Sequence, residues 1–238
     1  MRFNIHAGHN PDGMVACGAV GLIKESTEAR NVKDKLIVIL RNAGHTAYDC
    51  TCNNGTSQSD VLKKIVAKCN EHNVDLDISI HFNAGADDEK GNGRTTGVEC
   101  LVYDMKTSAS VYADKICKSI SATGYKNRGV KVNTGLYVLN STKAPALLIE
   151  CCFVDDKDDI NIYSAEKMAE AIAEGLGVKV VKEDEEMVKN SKIIVDGKEV
   201  TVRRILKDGT NYIAIRDIAE AVGYSVGNNG NIAVLQKK

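Results

Sequence analysis

The sequence predicts an α/β fold: a mixed, mostly parallel sheet flanked by helices on both faces, followed by a small α+β domain. Three observations carry this. Over residues 1–179, short apolar runs alternate with amphipathic stretches of helical period. Near residue 180 the alternation breaks into the charged segment KEDEEMVKNS. Beyond it, KIIVDGKEVTV places two short apolar runs around an Asp-Gly turn.

The elements follow in order. RFNIH reads as a first strand, ending in a Gly-containing loop. Residues 26–43 carry a helical stripe of Val32, Leu36, Ile39, Leu40 and Ala43, which Gly44 stops. HTAYDCT is a strand, and residues 58–72 form a second helix with Val61, Leu62, Ile65, Val66 and Cys69 inward. In DLDISIHFNA, Leu76, Ile78, Ile80 and Phe82 alternate with Asp77, Ser79 and His81, the period of a strand. GVECLVYD is a further strand. Residues 108–123 are helical with Val111, Ile116 and Ile120 apolar; GLYVLN and APALLIE read as strands; residues 164–177 form a helix capped by Ser164. This places a first domain at 1–179, a linker at 180–190 and a module at 191–238. In the module, NYIAIRDIAEAVGYSV reads as strand, helix and Gly stop, and IAVLQKK as a last strand. So short a module has a marginal core of its own, so docking or homodimerisation through it is expected.

Composition narrows the function. A net charge of -1 lacks the basic footprint of a nucleic-acid binder. No apolar run has the length of a membrane span, and MRFNIHAGHN is too short for a secretory leader. The expectation is a protein kept in the cytoplasm until released. Eight cysteines without a CxxC pair argue for free thiols rather than a Cys-rich zinc site, with Cys50 and Cys52 the pair most exposed to oxidation.

Two of the five histidines, His6 and His9, fall in HAGHNPDG, directly after the first strand. The strand end and the loop beyond it are where open α/β sheets place ligands. His81 ends another strand, pointing away from the Ile78 and Ile80 face. A catalytic zinc takes three protein ligands and leaves one position open. The third ligand should be acidic and near a helix start; Glu25 and Glu28 both qualify, although each also suits a helix N-terminus as a dipole-compensating charge. A general base is also needed. Glu150 ends the apolar strand PALLIE, where a carboxylate is costly without a task or partner.

These pieces, in this order, resemble a family. GH after the first strand, a Glu opening the next helix, SIHFNA, and NRGVKVNTGLYVLNSTKAPALLIECCFVDDKDD are similar to the type-3 zinc-dependent N-acetylmuramoyl-L-alanine amidases, above all those of clostridia and phage endolysins, over residues 2–178. The resemblance implies His9 and His81 as zinc ligands and Glu150 as the catalytic glutamate. It implies Glu25 as the third ligand, because the family's glutamate stands nineteen residues before the helix-ending Gly, here Gly44. The implied chemistry is zinc-assisted hydrolysis of the amide between N-acetylmuramic acid and L-alanine of peptidoglycan, with Glu150 moving the proton. Where the family has an acidic residue before its GHGG, this chain has His6, and Asn10-Pro11 follows His9; His6 is expected to sit behind the ligands rather than among them, either orienting His9 or standing by. Arg128, in NRGV, is expected to fork onto a stem-peptide carboxylate. The module at 191–238 resembles the copper amine oxidase N-terminal-like domain, implying cell-wall attachment or self-association. It implies no copper, since residues 190–238 contain no His, Cys or Met.

Two rivals remain. Zinc carboxypeptidases carry an HxxE pair, which HAGH lacks. A non-catalytic wall-binding protein with a structural zinc would show four closed ligands rather than three and a spare Glu150.

Overall fold

The computed structural model describes residues 1–180, 189–207, 210–229 and 232–238. The chain divides into two compact units, Met1–Val180 and Val181–Lys238.

The first unit is built on six strands: β1 (Arg2–Ala7), β2 (Thr46–Asp49), β3 (Leu76–Asn83), β4 (Val98–Val102), β5 (Asn127–Val132) and β6 (Ala146–Phe153). Their order is β2-β1-β3-β6-β4-β5. The first four in that row run parallel, β4 is antiparallel to β6, and β5 is parallel to β4. The sheet is therefore mixed and mostly parallel, as the alternation of elements predicts.

Six helices cover it: α1 (Glu25–Asn42), α2 (Gln58–Asn70), α3 (Ser108–Ser121), α4 (Tyr137–Ser141), α5 (Lys157–Ile162) and α6 (Ala165–Gly175). One core joins the sheet to the helices α1, α3 and α6 through Phe3, Ile5, Leu36, Ile78, Ile116 and Ile172. A second core joins it to α2 and α4 through Val61, Ile65, Cys69, Val138, Leu139 and Leu148. With cores on both sides, β3 is buried on both faces, so Asp77 and Ser79 are as hidden as Ile78 and Ile80.

Local chemistry explains the boundaries. Ser57 and Ser164 accept backbone hydrogen bonds at the starts of α2 and α6. Gly44 ends α1 at φ +81, with its N–H on the Arg41 carbonyl and that of His45 on the Leu40 carbonyl.

Several expectations are corrected. GLYVLN is not a strand: Tyr137–Ser141 is a short helix that buries the adjacent Val138 and Leu139 together, and β6 already has strands on both edges. Val111 is 54% exposed, because α3 buries the face carrying Ala109, Ala113, Ile116, Cys117 and Ile120. On α1, Ile37 is buried and Ala43 is exposed. All eight cysteines are unpaired. Cys50 and Cys52 are fully buried, so they are not the thiols open to oxidation; Cys17 is the one with partial exposure.

In the second unit, β7 (Lys189–Val195) and β8 (Lys198–Lys207) form a hairpin across Asp196 and Gly197, both at positive φ, and β9 (Thr210–Ile213) pairs with β8. Helix α7 (Ile215–Ala221) and the hairpin of β10 (Tyr224–Asn229) with β11 (Ile232–Lys237) complete it. The expected linker falls mostly on 181–188, outside the described residues. No described helix is long and apolar enough to cross a membrane.

Candidate metal centre

The chain leaves β1, passes through α1 to β2 on one side, then through α2 to β3 on the other. The carboxyl ends of β1 and β3 therefore flank the point where the winding reverses, the usual ligand crevice of such sheets. His9 follows β1, His81 lies near the end of β3, and Glu25 opens α1.

The three side chains meet there. Glu25 Oε1 lies 3.3 Å from His9 Nε2 and 3.0 Å from His81 Nδ1. Their ligating atoms all fall within 4.8 Å of one another. The imidazoles stand edge to face, centroids 4.8 Å apart. Backbone groups hold the carboxylate in place: the Phe82 N–H donates to Oε1 at 3.1 Å and the Ala19 N–H to Oε2 at 2.7 Å. Two glycines make the room. A Cβ on Gly8 would lie 1.8 Å from His81 Nε2, and one on Gly18 would lie 2.4 Å from Glu25 Oε2. Glu28, the alternative ligand, lies outside the cluster and accepts a hydrogen bond from the Tyr163 hydroxyl at 2.8 Å.

The electrostatics suit a cation. Burial alone would raise the Glu25 carboxyl, but hydrogen bonds and charge from His81 and His9 hold it well below the carboxylate range. Burial lowers His81 against the pull of Glu25, which favours the neutral imidazole a metal needs.

Glu150 on β6 pairs in register with His81 on β3 and with Glu99 on β4. The three side chains thus stand in a row on one face of the sheet. Burial, with the charges of Glu25 and Glu99, pushes the Glu150 carboxyl up to about 8. Its Oε2 is buried with no hydrogen-bond partner among the described residues.

The structure adds Glu99, which the sequence reading missed. It is buried, accepts from Arg128 Nε at 2.6 Å and from Lys131 Nζ, and receives Asn83 Nδ2 at 3.2 Å. Its signal was a charge in the strand GVECLVYD, two residues before Leu101 on the same face. Arg128 is therefore tied first to Glu99, and its guanidinium lies over the Phe153 ring at 4.9 Å.

His6 is buried, with 1% of its surface exposed. No hydrogen bond joins it to His9 among the described residues; its Nδ1 lies 3.4 Å from Ser79 Oγ. Burial and the nearby His81 push its imidazole down to about 3, so it is a neutral core residue.

The fold and the cluster define a class: an open α/β domain with a His–Glu–His cluster that could hold a metal ion at its switch point, and a buried carboxyl beside it. The family profile described as N-acetylmuramoyl-L-alanine amidase matches residues 4–179, and the chain belongs to that family. An uncharacterized Clostridium perfringens protein, CPE1502, is 33% identical over 92% of this chain and 61% of its own length. The endolysin of Bacillus phage SPP1 is 32% identical over 72% of this chain and 61% of its own. The chain thus spans about six-tenths of the length of these relatives. Among solved structures, the catalytic domain of the CD27L endolysin targeting Clostridia difficile superposes with a TM-score of 0.67 at 29% identity, over 76% of this chain and 99% of that domain. The N-acetylmuramoyl-L-alanine amidase AmiC2 of Nostoc punctiforme gives 0.61 at 25% identity, over 74% and 94%.

Proposed function

We propose that this chain is a zinc-dependent hydrolase that cleaves the amide between N-acetylmuramic acid and L-alanine in bacterial peptidoglycan, lysing the wall. The observation that carries the reading is the convergence of His9, Glu25 and His81 with Glu150 on the adjacent strand, in a chain of this family. Two imidazole nitrogens and a carboxylate oxygen, prearranged within 4.8 Å, form a donor set that fits one zinc ion with a position left open. When bound, zinc there supplies an acidified water and polarises the scissile carbonyl.

The protein's own groups do the rest. Glu25 stays ionised and fixed by two backbone N–H groups, so ligand geometry costs no reorganisation. Glu150 takes a proton from the attacking water and returns it to the leaving alanine nitrogen; a cation held beside it by His9, Glu25 and His81 would favour the carboxylate that the first transfer needs. Glu99, neutralised by Arg128 and Lys131, keeps those two cations at the site. The Arg128 Nη groups, outside its bond to Glu99, would receive a stem-peptide carboxylate.

We assign residues 1–179 to catalysis and 191–238 to wall attachment or self-association. The second unit carries an open surface depression of about 440 Å³ lined by the exposed Tyr212 and Ile215 together with Arg203 and Arg216.

The test is to incubate the zinc-loaded protein with purified peptidoglycan and identify new chain ends. Free L-alanine amino termini without new reducing sugar ends are expected. New reducing ends, or no amino termini, would reject the assignment.

A further inference from the structure

Arg30 lies on α1, on the helix that Glu25 opens, and spends its guanidinium on five acceptors from three segments, among them the Asn10 carbonyl at 3.4 Å from Nη1. Its Nη1 donates to the Ser26 carbonyl at 2.9 Å, in the turn of α1 that holds Glu25. Its Nη2 donates to the His9 carbonyl at 2.8 Å, and to the Cys52 carbonyl and Asn53 Oδ1 beyond β2 at 3.1 and 2.8 Å. The opposite side of the His9 loop is pinned by Asn10, fully buried, whose Nδ2 donates to the Val15 and Gly55 carbonyls while its Oδ1 accepts the Gly55 N–H.

We propose that Arg30 is a positioning residue for the metal centre: it fixes the backbone of His9 against the first turn of α1, and so sets the distance between two ligands, His9 and Glu25. The inference rests on the reading of that cluster as a metal site. The planar fork is what makes it work. Arg30 bridges carbonyls that diverge in direction and belong to separate segments, whereas a lysine ammonium is one compact donor centre and cannot span them. Without the fork, the His9 carbonyl loses its protein partner and the loop between β1 and α1 gains freedom. His6, one candidate for orienting His9, makes no such bond; Arg30 occupies the role through the backbone instead.

The experiment uses the full chain with Arg30→Lys and Arg30→Met, and Arg41→Lys as control. Arg41 is at the other end of α1, with its Nε and Nη2 on the Ala47 carbonyl at 3.2 and 2.7 Å. Zinc affinity is measured by competition with a chromogenic chelator, ligand geometry by the visible absorption of the cobalt(II)-substituted protein, and loop mobility by hydrogen exchange at residues 8–16 of the metal-free chain. Arg30→Lys should weaken zinc binding by about ten- to a hundredfold, alter the cobalt spectrum and speed exchange at residues 8–16. Arg41→Lys should alter none of these even if it lowers Tm as much. Wild-type zinc affinity and an unchanged spectrum in Arg30→Lys, or an equal loss in Arg41→Lys, would overturn the proposal. A wild-type chain that binds no zinc would reject the metal-site reading itself; unchanged exchange in both Arg30 variants would then separately reject the hold of Arg30 on His9.

Discussion

Glu150 and His81 face each other in register on adjacent parallel strands, β6 and β3, at the end of the sheet where the winding reverses. One residue belongs to the proposed ligand set and the other does not, and that division is open to test. Glu150→Gln should retain zinc with affinity near wild type and lose about 10²- to 10⁴-fold in amide cleavage, the usual worth of a general base. Metal analysis and release of amino termini from peptidoglycan, measured on the same preparation, separate the two effects.

Gly8 leaves no room beside His81. In Gly8→Ala the new methyl would sit 1.8 Å from Nε2, so the imidazole must move. The variant should lose zinc affinity by at least about tenfold and stability by roughly 1–3 kcal/mol, read by chelator competition and thermal unfolding of the metal-free chain.

The metal-free protein should lose stability as pH rises through neutrality. Glu150 has a folded value of about 8 against 4.5 for the free side chain. A carboxyl raised in this way binds its proton more tightly when folded. Its contribution is complete below about pH 4.5 and is lost as pH climbs to about 8. Glu150→Gln removes that slope, so the difference in Tm between variant and wild type should widen across this window. His6 acts in the opposite sense: held down to about 3 from 6.5, it contributes stability at neutral pH that is lost as pH falls through that range. His6→Gln should flatten the acid limb.

Among the thiols, Cys17 should react first. It alone is partly exposed, while the other seven are buried. Mass spectrometry after brief treatment with a maleimide should place the label on Cys17, and labelling at Cys50 or Cys52 should require denaturant.

Much of this was legible in the sequence because its signals are local. The order of strands and helices follows from hydrophobic period, and the ends of α1 and α6 follow from Gly44 and Ser164. His9, His81 and Glu150 stood out as polar residues beside apolar runs, whereas Glu25 shared its place near a helix start with Glu28, and only the family resemblance chose between them. What escaped was set by tertiary context. β5, NRGVKV, is an edge strand with two charges and only Val130 and Val132 apolar, too few to mark a period. GLYVLN is too short for period to separate helix from strand, and only the occupied edges of β6 decide it. Glu99 and Arg30 are charges whose partners lie distant in the chain: Glu99 is bonded from β5, and Arg30 to the loops after β1 and β2. Nothing in their immediate sequence marks those contacts. The aspartates of VDDKDD fall in the same group, since Asp155, Asp156, Asp158 and Asp159 accept backbone N–H groups from the loop spanning residues 85–97.

The central claim is that His9, Glu25 and His81 hold one ion between them. Its most direct test is the zinc content of exhaustively dialysed protein after zinc loading, for wild type and His81→Ala side by side. One zinc per wild-type chain and essentially none in His81→Ala is the expected result. A wild-type chain that retains no zinc, or a His81→Ala chain that retains as much as wild type, would contradict the account.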